Sequence, residues 1–365
     1  MQRNPFQFGL ALIFVVLSSA CSTNGVEMTP APVLSPLAAD TPIPVDPTST
    51  PLSGAQDEIY TQINLGLAGE YVGVLVIAPL PPLTIYAGTG NGLFKSADGG
   101  EHWLSLGLSV PVTALAIDLQ NPDTLYVGTD GNGIYKSVDG GQNWAALNTG
   151  LTNNKVYALA IDPQMPAILY AGTYMGPDDP QSGVYKSTDS GENWVKTGET
   201  LTRIYSLAID PGNTSTLYAG AESGLAKSTD GGAHWVNTSL FFDSDTIVWD
   251  LALDPRTADV LYAGTSTTGV FKSVDGGLTW EPKNTELTNS YVGALLLDFA
   301  SQDTLYAGNW WGNSDLYKTT NGGETWQTLT IAPSIGVTVN ALAMNPAVSP
   351  AVYVGTTDGV IVVQP

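Results

Sequence analysis

Apolar and polar positions follow one three-part pattern that returns along most of the chain. First comes an unbroken apolar run closed by Asp-Pro, as from Val156 to Pro163 and from Ile204 to Pro211. Such a run suits a strand buried on both faces. A second short segment reads L-Y-A-G-T, at Leu169 to Thr173 and at Leu261 to Thr265. A third reads G-V-Y-K-S and runs into a polar turn. The L-Y-A-G tyrosines are Tyr86, Tyr126, Tyr170, Tyr218, Tyr262, Tyr306 and Tyr353, at intervals of 40, 44, 48, 44, 44 and 47 residues. Seven units of this length predict an all-β chain folded as one seven-bladed propeller of four-stranded blades. The apolar run is strand a, nearest the axis. L-Y-A-G is strand b, V-Y-K-S strand c, and strand d carries the Trp that follows the turn.

The seventh unit has strands a to c, from Val339 to Pro346, Val352 to Gly355 and Gly359 to Val363, and then no turn. The complement lies at the other end. Tyr60 to Leu67 aligns with Trp144 to Leu151, so the N-terminal segment is expected to be the outer strand of the last blade. That closure leaves no open edge in the ring.

The turn itself reads S-x-D-x-G-x-x-W. Copies are Ser96, Asp98 and Trp103; Ser137, Asp139 and Trp144; Ser187, Asp189 and Trp194; Ser228, Asp230 and Trp235; Ser273, Asp275 and Trp280; and a softened Thr319, Asn321 and Trp326. Ser and Asp oxygens accept turn N–H groups, and Gly supplies positive φ. The Trp brings a large apolar surface to the gap beside the next sheet. This pattern resembles the Asp-box, or BNR repeat, of sialidases, sortilin-type receptors, xyloglucan-active endoglucanases and photosystem II assembly factors. The resemblance implies a β-propeller in which the boxes are scaffold, on the face opposite the usual ligand site. Enzymes and non-enzymes share the box, so function has to be argued from other residues.

Composition refines the picture at the N-terminus. Arg3 precedes a short apolar run, Phe8 to Leu17, too short to span a bilayer. Residues 1–20 read as a signal peptide, and Leu17-Ser18-Ser19-Ala20-Cys21 resembles a lipobox whose Cys21 receives diacylglycerol. The competing reading is plain secretion with a chance Cys. Residues 21–56 then form a lipidated, Pro/Thr/Ser-rich tether, and 57–365 the propeller. The implied location is the extracytoplasmic side of a cell membrane. The net charge is −22. It argues against nucleic acid and anionic headgroups as partners, and admits cations, basic proteins or neutral glycans.

Few residues remain for chemistry. His102 and His234 sit inside turns, and no His/Cys metal cluster or cofactor motif is read. A sialidase needs three clustered arginines, whereas Arg203 lies on a d–a loop and Arg256 on an a–b loop at the opposite end of its blade. A xyloglucanase-like hydrolase needs two opposed carboxylates. The candidates are Asp178, Asp179, Asp243, Asp245 and Asp315. An adaptor like the photosystem assembly factors would use an arginine-rich patch, but only Arg203 and Lys155 fall near the b–c face. That face is instead aromatic. Tyr174, Trp310 and Trp311 stand in b–c insertions, and Tyr291, Phe241 and Phe242 in or beside d–a loops. Tyr157, Tyr205 and Trp249 start strands a and are expected to cover gaps between blades. The resulting expectation is a monomeric, lipid-anchored, non-catalytic binding or scaffold propeller. Its ligand, a glycan or a protein, is expected on the b–c face, with Trp310 and Trp311 as anchors. The two rival readings are the hydrolase and the assembly adaptor.

Overall fold

The computed structural model describes residues 60–364, apart from 175–179, 198–200, 223, 239–245, 258, 299, 302, 311–314, 332–336 and 346–350. Its strands form seven antiparallel four-stranded sheets, each in the order a-b-c-d. Blade 1 comprises Val72–Ile77, Ile85–Thr89, Gly92–Ser96 and Leu104–Ser105. Strands a of blades 2 to 7 are Val112–Ile117, Val156–Ile161, Ile204–Ile209, Val248–Leu253, Val292–Leu297 and Val339–Met344. Each packs beside its counterpart in the next blade, and the last returns to Val72–Ile77. The chain is therefore a seven-bladed β-propeller.

The last blade is closed as the alignment of Tyr60 to Leu67 anticipates. Tyr60–Gln62 pairs antiparallel with Gly359–Val363, with Tyr60 opposite Val363. Strand d is only two to four residues long, and the turn Trp expected on it stands just ahead of it, as Trp194 does before Val195–Thr197. The indoles also reach backward. Nε1 of Trp103 donates to Ile63 O (2.8 Å), that of Trp194 to Leu147 O (3.0 Å) and that of Trp326 to Lys283 O (2.7 Å). Each carbonyl belongs to the preceding blade, so these Trp residues seal the gap behind them and not the one ahead.

The core is divided into seven apolar layers between blades. One layer joins Leu316, Leu329 and Tyr306 of blade 6 to Val339, Val354 and Ile361 of blade 7. The strand-b glycines set the spacing. A Cβ on Gly308 would lie 2.3 Å from Val339 Cγ1, and one on Gly88 2.5 Å from Val112 Cγ1. The repeated Gly thus marks where the first side chain of the next strand a enters.

Tyr and Lys of the repeat form a staple between blades. Tyr170 Oη and Lys186 Nζ both donate to Gly231 O, at 3.0 and 2.8 Å, in the turn of the next blade. Tyr126 and Lys136 do the same to Ser190 O, both at 3.2 Å. Each ammonium also lies 5.3 Å from its own blade's Tyr ring. Burial pushes the Tyr126 and Tyr170 phenols up to about 12.

The turns are uniform. In all six the Ser or Thr hydroxyl donates to Oδ1 of the Asp or Asn at 2.7–2.9 Å, and accepts a Gly N–H at 2.7–3.0 Å. His102 Nδ1 and His234 Nδ1 lie 2.7 and 2.6 Å from Oδ2 of Asp98 and Asp230, which accounts for both histidines as turn braces. The His102 N–H on Asp98, the Asn143 amide on Asp139 and the Thr279 hydroxyl on Asp275 lead the donors that hold these carboxyls down at about 2. A carboxyl depressed in the folded state stabilises above its unfolded value, roughly 3.9, and that contribution is lost as pH falls through the folded value. The urea midpoint is therefore expected to drop between about pH 4 and pH 2. The drop should be shallower in the triple variant Asp98→Asn, Asp139→Asn, Asp275→Asn.

Candidate functional site: an aromatic arc on the b–c face

Every strand a carries a β-bulge at its start, where register shifts between the first and third residues. A bulge at a sheet rim re-aims the extra residue. The residue between the two in blades 1 to 7 is Gly73, Thr113, Tyr157, Tyr205, Trp249, Gly293 and Asn340. In blades 2 and 7 it is polar and bonds the next blade. Thr113 Oγ1 donates to Val156 O, and Asn340 Nδ2 to Val72 O at 3.3 Å. In blades 3, 4 and 5 it is aromatic.

Two further rings join these three. Tyr174 follows strand b of blade 3 (Leu169–Thr173), and Trp310 follows strand b of blade 6 (Leu305–Asn309). Centroid separations run Tyr157–Tyr174 5.0 Å, Tyr174–Tyr205 5.7 Å, Tyr205–Trp249 4.5 Å and Trp249–Trp310 5.2 Å. Interplanar angles of 45–65° give the tilted and edge-on contacts that aromatic quadrupoles favour. Gly293 explains how the arc extends to blade 6. A Cβ there would stand 2.9 Å from Trp310 Cβ, so the absent side chain makes room for an indole arriving from strand b.

Tyr174 and Trp310 occupy equivalent places three blades apart. The Tyr174 N–H donates to Lys155 O (2.9 Å), and the Trp310 N–H to Tyr291 O (3.3 Å). Both loop bases are braced by a strand-c Tyr. Tyr185 Oη lies 2.6 Å from Thr152 Oγ1 and donates to Gln181 O (2.7 Å). Tyr317 Oη lies 2.8 Å from Thr288 Oγ1 and donates to Asp315 Oδ2 (3.3 Å). Tyr157, Tyr205 and Trp249 are buried, while Tyr174, second in the run, and Trp310, at its blade 6 end, are half-buried. The arrangement is a continuous run of rings across blades 3 to 6.

Arg203 sits beside Tyr174 at a strained backbone position, φ +53°. Its N–H donates to Ser182 Oγ (2.9 Å), its guanidinium pairs with Glu222 and lies 5.7 Å from the Tyr174 centroid, and its side chain is 13 % exposed. Lys155 pairs with Asp130 at 3.1 Å. A third basic residue, Lys196, was not expected on this face; its Nζ donates to Pro180 O in the blade 3 loop. Burial, followed by the neighbouring Tyr174, raises the Tyr205 phenol.

Asp250 also escaped the sequence reading. It is fully buried beneath Trp249, and its two oxygens accept the N–H groups of Leu251 (2.8 Å) and of Leu295 in blade 6 (2.7 Å). Burial holds its carboxyl well above the usual range. The available signal was one acid in the run V-W-D-L-A-L, where other blades place Ala, Val or Ser.

Of the other expected site residues, Tyr291 is 41 % exposed beside the Trp310 backbone, and Asp315 opens strand c of blade 6. Trp311, Phe241, Phe242, Asp178, Asp179, Asp243, Asp245 and Cys21 lie outside the described residues. Arg256 is held by Asp254 on its a–b turn, Nε to Oδ1 at 2.9 Å. Tyr157, Tyr205 and Trp249 are buried, but their contacts are with the other rings of the arc and not with the apolar layers between blades. Among the described residues Asp98, Glu101 and His102 lie close enough to share a cation, but all three are exposed and Asp98 is already engaged within its turn.

No protein-family model and no curated protein matches the chain. Solved structures do. The GH74 xyloglucanase of Xanthomonas campestris aligns with TM-score 0.65 and 18 % identity over 83 % of this chain and 53 % of its own. YCF48 from Cyanidioschyzon merolae aligns with TM-score 0.64 and 14 % identity over 84 % of this chain and 98 % of its own. YCF48 bound to D1 peptide aligns with TM-score 0.63 and 14 % identity, over 85 % and 98 %. The chain spans about half the length of the GH74 enzymes it matches. At these identities the likeness establishes the propeller fold, shared by a glycan-acting enzyme and a peptide-binding protein alike.

Proposed function

We propose that this chain is a non-catalytic binding propeller of the Asp-box class, engaging a protein segment or a glycan along the aromatic arc. We further propose that it is held on the extracytoplasmic side by lipid on Cys21. The observation that supports the binding reading is the run of five rings across four blades, two of them from braced loops. A scaffold alone has little use for two partly exposed rings, Tyr174 and Trp310, in such a run. Of the described carboxylates near this face, Glu222 is engaged by Arg203, Asp130 by Lys155 and Asp315 by Tyr317. That favours binding over hydrolysis.

The test is retention on a panel of polysaccharides and immobilised peptides, with released reducing ends scored in parallel. An aromatic anchor is typically worth about 2 kcal/mol or more, over tenfold in affinity. The double variant Tyr174→Ala, Trp310→Ala should lose retention by at least that factor and keep its fold. Ser137→Ala should instead lower the melting temperature and keep retention. If the folded turn variant loses binding while the arc variant keeps it, the ligand face has been misassigned. Reducing ends released by the unaltered protein would replace binding by hydrolysis. Cys21→Ser should shift the protein from membrane to soluble fractions, and unchanged membrane retention would sink the anchor.

A further inference from the structure

We propose that the arc selects a cationic group, a guanidinium or ammonium carried on a protein segment. This rests on the reading that ligand lies along the arc, and it names the chemistry that the arc recognises. Three observations converge on it. The first is that the structure already holds a guanidinium on the arc, since Arg203 lies 5.7 Å from the Tyr174 centroid. That is within the roughly 6 Å at which the negative face of a ring attracts a cation. Trp310, at the blade 6 end, presents a half-buried indole in the equivalent loop position, and no comparable cation–ring contact lies on it among the described residues. Indole is the strongest of the three aromatic faces for this purpose.

The second observation is that the basic groups of this face, among the described residues, are neutralised or tied down. Arg203 pairs with Glu222, Lys155 with Asp130, and Lys196 bonds a backbone carbonyl. Two of the three cations are thus paired with carboxylates, which lowers the repulsion an incoming cation meets. The third is the field of the whole chain. A net charge of −22 steers cations toward the protein from any direction, and the rings give them a place to stop. A neutral sugar would gain nothing from that field, and an acidic segment would be repelled by it.

The test uses two short acetylated, amidated Gly/Ser peptides of identical length. One bears two arginines, and its twin bears two citrullines, which keep the shape and lose the charge. Both are titrated against the full chain in about 0.15 M salt, where charges beyond roughly 8 Å are screened. The arginine peptide is expected to bind about fivefold more tightly or better, the range of a partly desolvated cation–ring contact. The preference should vanish in the Tyr174→Ala, Trp310→Ala variant, checked for folding by its thermal transition, and should survive in Tyr174→Phe, which keeps the ring. Equal binding of the twins overturns the proposal. So does a preference that persists in the double Ala variant, since the general field would then be its source. If the double Ala variant loses a polysaccharide while the twins bind alike, the arc remains the ligand face and only its cation selectivity fails. If that variant binds every probe as the unaltered protein does, both readings fail.

Discussion

Removing residues 1–67 should lower stability by about 4–6 kcal/mol relative to removing residues 22–50. The first truncation takes away the outer strand of blade 7, but the damage reaches further. Asn64 Oδ1 accepts the Val360 N–H at 2.6 Å, and Asn64 Nδ2 donates to Asp358 O at 2.7 Å. Trp103 in blade 1 bonds Ile63 O through its indole and Leu65 O through its backbone, at 2.8 and 2.9 Å. Leu67 is buried in the layer between blades 7 and 1. One segment thus holds two blades, and its loss exposes the seam on both sides. Burial of Leu67 and part of Ile63 supplies about 3 kcal/mol, and the hydrogen bonds about 1 kcal/mol each at most. Urea unfolding of the two truncations is the measurement. Coincident midpoints would mean that the seam does not carry the ring.

Gly308→Ala should cost about 3 kcal/mol, whereas Gly90→Ala should be nearly silent. The added methyl at Gly308 meets Val339 Cγ1 at 2.3 Å and Val339 Cβ at 3.0 Å, on a strand pinned between its neighbours. At Gly90, in the b–c turn of blade 1, nothing lies within 4 Å. The same substitution therefore probes close approach at one site and open space at the other. Pairing Gly308→Ala with Val339→Ala should recover part of the loss, because the second change removes the methyl groups that are struck. Comparable thermal midpoints for the two single variants would refute this account of the L-Y-A-G glycines.

The fold was legible because its signals are periodic. Seven tyrosines at near-constant spacing, and a Tyr60 segment matching Trp144 to Leu151, define blades and closure without knowledge of any contact. The direction of the Trp indoles was not legible, since a repeat reads the same whether each unit leans on the one before or the one after. The site was legible in part. Tyr174 and Trp310 were visible as insertions that break the register. Tyr157, Tyr205 and Trp249 were visible too, but an unbroken apolar run hides a bulge, and the bulge is what brings those rings into the arc. Gly293, on strand a, and Trp310, just after strand b, are 17 residues apart. Their fit depends on a missing Cβ facing an indole, which no local pattern announces.

The seam in blade 7 also gives the molecule a front and a back. Strand d of that blade starts at Tyr60, opposite Val363, on the side where the other blades turn from c to d. Tyr60 therefore lies on the side of the turns, while the aromatic arc opens on the reverse. A tag joined directly at Tyr60 would stand on the side of the turns and leave the rings uncovered.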